Sequence, residues 1–231
     1  MGIAEITPGI SGATIAGLFN VYKDFVNFLN VFNPLKIKPY LSYFYKEINF
    51  CFIIPLLLGM AISIYLSAFA IDYFRKSYLY ELKIFLSAVM FIAVIKNCGL
   101  DQSLNDSFKY ILDFILGLLI AIVIALSLVE LDFNNSFLLV LAGLLAFTAF
   151  LLPGISGSLV LIILGVYGNI TTAIKDIDLI YLMPFIIGMA ISFLIIPAQI
   201  IKRINDNEVK TKVFFSGLIL GSIPAVWLYL I

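Results

Sequence analysis

The sequence predicts an all-α integral membrane protein: two inverted repeats, each with a re-entrant helix hairpin broken at a PGISG motif, plus about five full transmembrane helices. Three observations carry this. The chain is 63% hydrophobic and 12% charged, where soluble domains carry roughly 25% charged residues. The pentapeptide PGISG occurs at residues 8–12 and again at 153–157. Finally, Lys and Arg distribute unevenly across a membrane only if the stretch around the second motif enters and leaves on one side.

Taken in order, residues 1–30 hold the first motif and an apolar run, Ile10–Leu29, too interrupted for a simple span. Residues 31–47 read as a polar, aromatic loop with Lys36, Lys38 and Lys46, punctuated by Pro34 and Pro39. Residues 48–71 supply about the 20 residues that a bilayer requires. A loop with Asp72, Arg75, Lys76 and Glu81 leads to a span at 82–95, and a polar loop at 96–109 to another at 110–129, closed by Glu130 and Asp132. The 35 residues 136–170 are too long for one span and suit two legs of roughly 14–17 residues around the motif. A polar turn at 171–178, a span at 179–201, a charged loop at 202–212 and a span at 213–231 complete the chain.

The repeat extends beyond the motif. Residues 55–63 read PLLLGMAIS and residues 184–192 read PFIIGMAIS, an offset of 129 against 145 at the motifs. Lys83 and Ser87 match Lys212 and Ser216 at the same offset of 129. The difference of 16 residues falls naturally in the 31–47 loop. The expected organisation is a single membrane domain over 1–231: repeat 1 at about 1–98, a linking span at about 109–131, and repeat 2 at about 136–231. The second motif has a leading leg at 137–152, whereas the first has only Met1–Thr7, so the N-terminal leg of repeat 1 is expected to be missing.

With the second motif re-entrant, ten basic residues share the side of 31–47, 96–109 and 202–212, and four (Arg75, Lys76, Lys83, Lys175) lie opposite. With a single crossing the count is seven against seven. The first arrangement gives a multi-pass protein of the cytoplasmic membrane with its C-terminus outside. Three spans separate the motifs, an odd number, so the repeats are inverted. Lys83 and Lys212 read as snorkelling anchors, and Tyr22 and Tyr167 as interfacial aromatics.

Broken backbone at membrane depth leaves N–H and C=O groups that only protein, water or a ligand can satisfy. A helix that starts after such a break aims free N–H groups and the positive end of its dipole into the gap. Gly9, Ser11, Gly12 and Thr14, with Gly154, Ser156, Gly157 and Ser158, are therefore the candidate substrate-binding residues, suited to phosphate or a similar oxyanion. The alternative is that Pro-Gly only turns the hairpin and the serines cap its helix. Glu5, a carboxylate beside the first break, is a candidate for H⁺ or Na⁺ coupling; Phe150 holds its place in the second repeat.

The chain contains no histidine. The GxSG match of both motifs to intramembrane serine proteases therefore lacks its base, and no catalytic or metal site is expected. Cys51 and Cys98 form neither a disulfide framework nor a metal pattern. No cofactor is expected, and no basic patch supports nucleic-acid binding.

Three segments carry a family resemblance: GIAEITPGISGATIAGLFNVY at 2–22, LLPGISGSLVLIILGVY at 151–167 and FSGLILGSIPAVW at 215–227. The chain resembles the polyprenyl-phosphate transporters, catalogued as domain of unknown function 368. The family's first motif reads PGVSGGT; here Ala13 follows Gly12. The resemblance implies a transporter, not an enzyme, that returns the lipid carrier undecaprenyl phosphate from the outer to the inner leaflet for cell-wall and surface-glycan synthesis. The residues alone leave a channel or secondary transporter for a small soluble anion as the alternative.

Overall fold

The computed structural model describes residues 1–5, 7, 9–33, 50–100, 109–127 and 135–230. Pro8, most of the loops expected at 31–47 and 96–109, and the closing acids Glu130 and Asp132 lie outside the described residues. Every described element is helical: α1 Gly2–Glu5, α2 Gly12–Leu18, α3 Tyr22–Asn30, α4 Phe50–Ser77, α5 Leu79–Ile95 with a π turn at Lys96–Leu100, α6 Ile111–Leu126, α7 Ser136–Leu151, α8 Gly157–Ile163, α9 Tyr167–Lys175, α10 Leu179–Asp206, α11 Glu208–Gly221 and α12 Ile223–Tyr229.

The helix boundaries coincide at the two offsets read from the sequence. Adding 145 carries α2 (12–18) onto α8 (157–163) and α3 (22–30) onto α9 (167–175). Adding 129 carries α4 (50–77) onto α10 (179–206) and the start of α5 (79) onto that of α11 (208). The turns correspond as well. Gly9 and Gly154 have φ of 94° and 98°, and Asn20 and Gly165 have φ of 58° and 73°.

Three expectations are corrected. Residues 72–81 are not a loop. Asp72 pairs with Arg75 at 3.1 Å and Lys76 at 2.6 Å, spacings that place all three on one helical face. α4 therefore runs on to Ser77, and the chain turns sharply, by 117°, at the single residue Tyr78. The 202–212 loop is also helical, interrupted only at Asn207, whose side chain caps α11 by accepting from Lys210 N at 2.9 Å. The leg after the second motif is not straight: α8 and α9 meet at 114°. Gly165 adopts the left-handed conformation at that corner, as Asn20 does between α2 and α3; Gly and Asn are the residues that tolerate it.

Among the described residues, three helices are long and apolar enough to cross a membrane, within 50–67, 179–206 and 208–229, or up to five if each bent pair is one span. Shorter apolar helices occupy 111–126 and 136–151. The outward faces carry exposed Leu58, Ile62, Leu66, Leu112 and Val123, a surface that lipid covers and water would not. The chain is a multi-pass membrane protein.

Inside, side chains of α3, α7, α10 and α11 enclose one core around Tyr22, Phe25, Leu151, Ile204 and Phe215. α7 and α10 touch backbone to backbone. A Cβ at Gly143 would run into the Phe185 carbonyl oxygen, and one at Gly188 into that of Val140. Close small-residue crossings are how helices associate in lipid, and a Thr148–Ser192 hydroxyl bond of 2.9 Å reinforces this one.

Candidate functional site

Each motif is a tight turn delivering the chain into a short helix. In the first, Gly9 at φ 94° lies against α12: an added Cβ would come within 2.9 Å of Val226 Cα. In the second, Gly154 at φ 98° lies against α11, where a Cβ would sit 2.6 Å from Ile219 N. Both positions demand glycine twice over, for conformation and for space.

After each turn a serine stands at the N-cap with extended backbone, Ser11 at φ −105° and ψ 140°, Ser156 at φ −91° and ψ 138°. The two then diverge. Ser11 Oγ accepts from Ala13 N at 3.1 Å, an ordinary cap. Ser156 makes no such bond to its helix; its hydroxyl lies 2.8 Å from that of Ser158. Both serines are buried. Gly157 lets α8 approach α7, since a Cβ there would stand 2.7 Å from the Ala146 carbonyl oxygen.

Glu5 reaches over the first turn, and its Oε1 accepts from Gly12 N at 2.7 Å. A carboxylate thus sits on the first N–H of α2, where the helix dipole favours negative charge. Phe150, its counterpart, instead packs edge-on against Phe25, with ring centroids 6.3 Å apart.

The motifs meet. Thr14 Oγ1 accepts from Gly154 N at 2.8 Å, a buried bond between residues 140 apart in sequence. Tyr22 OH donates to the Leu151 carbonyl at 2.8 Å. Of the eight candidate residues, Thr14 and Gly154 are joined directly, Gly12 is tied to Glu5, Ser156 to Ser158, and Ser11 to its own helix. The interfacial expectation for Tyr22 fails: its ring is 7% exposed and its hydroxyl spans the core, whereas Tyr167 is 41% exposed. Lys83 donates to the Trp227 carbonyl at 3.0 Å, and Lys212 pairs with Glu208 at 2.8 Å.

Sequence reading missed a cavity of about 480 Å³ beside this junction. Pro153 and Ile219 form part of its wall, and Lys23, Asn97, Thr211 and Lys212 also line it. The signal was faint. Lys23 follows the second corner of the first repeat, and Asn97 is a polar residue at the end of an apolar span.

Residues 1–230 match the model of the VCA0040-like family, described as undecaprenyl phosphate translocase-like. The chain belongs to this family. Among curated proteins, the VCA0040-like chain is similar to the polyprenyl-phosphate transporter of Vibrio cholerae, 31% identical over 236 residues, covering 98% of this chain and 74% of that one. It is also similar to the polyprenyl-phosphate transporter of Staphylococcus aureus, 27% identical over 244 residues, covering 98% and 83%. No solved structure matches significantly.

Proposed function

We propose that this protein is a polyprenyl-phosphate transporter that returns undecaprenyl phosphate across the cytoplasmic membrane, from the outer to the inner leaflet. Family membership and the names of its relatives support the substrate class. The observation that supports the mechanism is the buried Thr14–Gly154 bond, which joins the helix after the first break to the turn of the second.

In this reading the two halves are inverted repeats with re-entrant motifs, and the C-terminus lies outside. The recurrence of helix boundaries at offsets of 145 and 129 supports the duplication. Discontinuous helices at a repeat interface are the usual substrate site of such transporters. Gly9, Ser11, Gly12 and Thr14, with Gly154, Ser156, Gly157 and Ser158, would hold the phosphate as it passes. Their internal bonds then mark the positions that phosphate oxygens take: Glu5 on Gly12 N–H, and Thr14 on Gly154 N–H. The headgroup needs a polar path through the core, while the polyprenyl tail stays in lipid. Glu5, displaced from Gly12 by the substrate, is free to take up H⁺ or Na⁺, which would couple transport to an ion gradient.

The test is flipping of labelled polyprenyl phosphate in liposomes containing the purified protein. Replacing both Ser11 and Ser156 by alanine should slow flipping strongly. Unchanged flipping in that double variant would overturn the assigned path.

A further inference from the structure

We propose that the cavity walled by the N-terminus of α3, Lys23 and Asn97 is a receiving site for a phosphate monoester headgroup, distinct from the two glycine turns. The inference deepens the transport reading and rests on it for the substrate class.

Several features converge there. α3 is nine residues long, and its N-cap, Val21, gives no side-chain bond to the helix. The first N–H groups of a helix have no partner within it, and Tyr22, Lys23 and Asp24 of that first turn line the cavity. Asn97, from the π turn after α5, lines the same cavity at 7% exposure. Its side chain makes no hydrogen bond among the described residues, and its amide atoms are not sealed from the cavity, so they can serve a ligand there. Lys23 makes no ion pair among the described residues, although its ammonium is close enough to Glu208 to interact with that carboxylate through space, an interaction an entering anion would replace.

Opposite stands Lys212, held by the exposed carboxylate of Glu208 at 2.8 Å. Asp24 and Glu208 also border the cavity, so its two lysines are formally balanced. A phosphate entering between α3 and α11 exchanges partners. Lys212 keeps an anion, Glu208 returns to water, and the phosphate gains Lys23, the α3 N–H groups and the Asn97 amide. Charge-assisted bonds of this kind are the strong ones. The cavity's size suits a small polar group, and its Pro153 wall leads directly to the second motif.

The exchange gives the site a signature of opposite signs. Removing Lys23 weakens phosphate binding, whereas neutralising Glu208 strengthens it; a site for an amine or metal cation reverses both signs. The experiment is calorimetric titration of the purified full-length chain in lipid nanodiscs with farnesyl phosphate and, separately, with inorganic phosphate. Lys23→Gln and Asn97→Leu should each weaken binding about tenfold, Lys23→Arg should restore it, and Glu208→Gln should tighten it. Lys23 is exposed, so its variant tests the site even if Asn97→Leu fails to fold, as a melting curve would reveal.

Tighter binding of farnesyl phosphate than of inorganic phosphate assigns the site to a lipid headgroup. Equal affinities that both depend on Lys23 support a phosphate site and assign it to free phosphate. Binding unchanged in Lys23→Gln, or lost in Glu208→Gln, overturns the proposal. If the wild-type protein flips lipid while Lys23→Gln binds as wild type, only the cavity falls. A wild-type protein that binds neither phosphate also overturns the cavity, and flipping by that same protein decides separately whether transport stands.

Discussion

Substituting Gly154 by alanine isolates the geometry on which the second motif depends. The new Cβ would lie 2.6 Å from Ile219 N, 2.7 Å from Leu218 C and 2.8 Å from Ile219 Cα. Ordinary carbon contacts begin at about 3.5 Å, so α11 must retreat by about 1 Å. It has little room to do so. α11 is pressed against α6 at Gly217, where an added Cβ would meet the Phe114 carbonyl oxygen, and at Gly117, whose Cβ would meet that of Phe214. The φ of 98° adds backbone strain for any side chain. Strain of about 1–3 kcal/mol and overpacking of about 1–3 kcal/mol sum to about 2–6 kcal/mol of destabilisation. The control is Gly168→Ala in α9, where an added Cβ would meet no other part of the described residues within 4 Å; better helix propensity should stabilise it by up to about 1 kcal/mol. Apparent melting temperatures of both variants in one detergent provide the assay. The glycine argument is refuted if Gly154→Ala melts with the wild type or with Gly168→Ala.

Thr14→Val keeps shape and volume but leaves Gly154 N–H buried without its acceptor, and should cost about 1–3 kcal/mol; Thr14→Ser, which retains the oxygen, should melt closer to the wild type. Tyr22→Phe removes only the hydroxyl that donates to Leu151 O and should cost about 0.5–1.5 kcal/mol, read from the same melting curves. Glu5→Gln keeps an oxygen for Gly12 N–H and should fold normally; if Glu5 couples transport to protons, flipping by this variant no longer responds to an imposed pH gradient, and an undiminished response removes Glu5 from that role.

The helical class and the duplication were legible because both rest on local signals. Apolar runs mark spans, and offsets of 145 and 129 between short identical strings carry over directly to helix boundaries. A break at each Pro-Gly was legible in the sequence; that Gly9 and Gly154 take positive φ there came from the structure. The corners at Asn20 and Gly165 were not legible, because a single polar or glycine residue within an apolar run does not by itself say that the helix turns there. Charged residues misled at 72–81 and 202–212. There Asp72 with Arg75 and Lys76, and Glu208 with Lys212, are spaced as helix-face pairs, and helix continues through them. The site's cross-chain contacts were the least accessible. That Thr14 meets Gly154, that Tyr22 reaches Leu151, and that Asn97 shares a cavity with Lys23 are consequences of packing between distant segments.

The central claim is movement of a lipid phosphate, and one measurement addresses it most directly. Liposomes with and without the purified protein are loaded with labelled undecaprenyl phosphate, and its accessibility at the outer face is followed alongside uptake of radioactive inorganic phosphate by the same vesicles. The account predicts rapid lipid redistribution that depends on the protein, without matching uptake of the soluble ion. Lipid that moves no faster than in protein-free liposomes, or phosphate uptake without lipid movement, would contradict it.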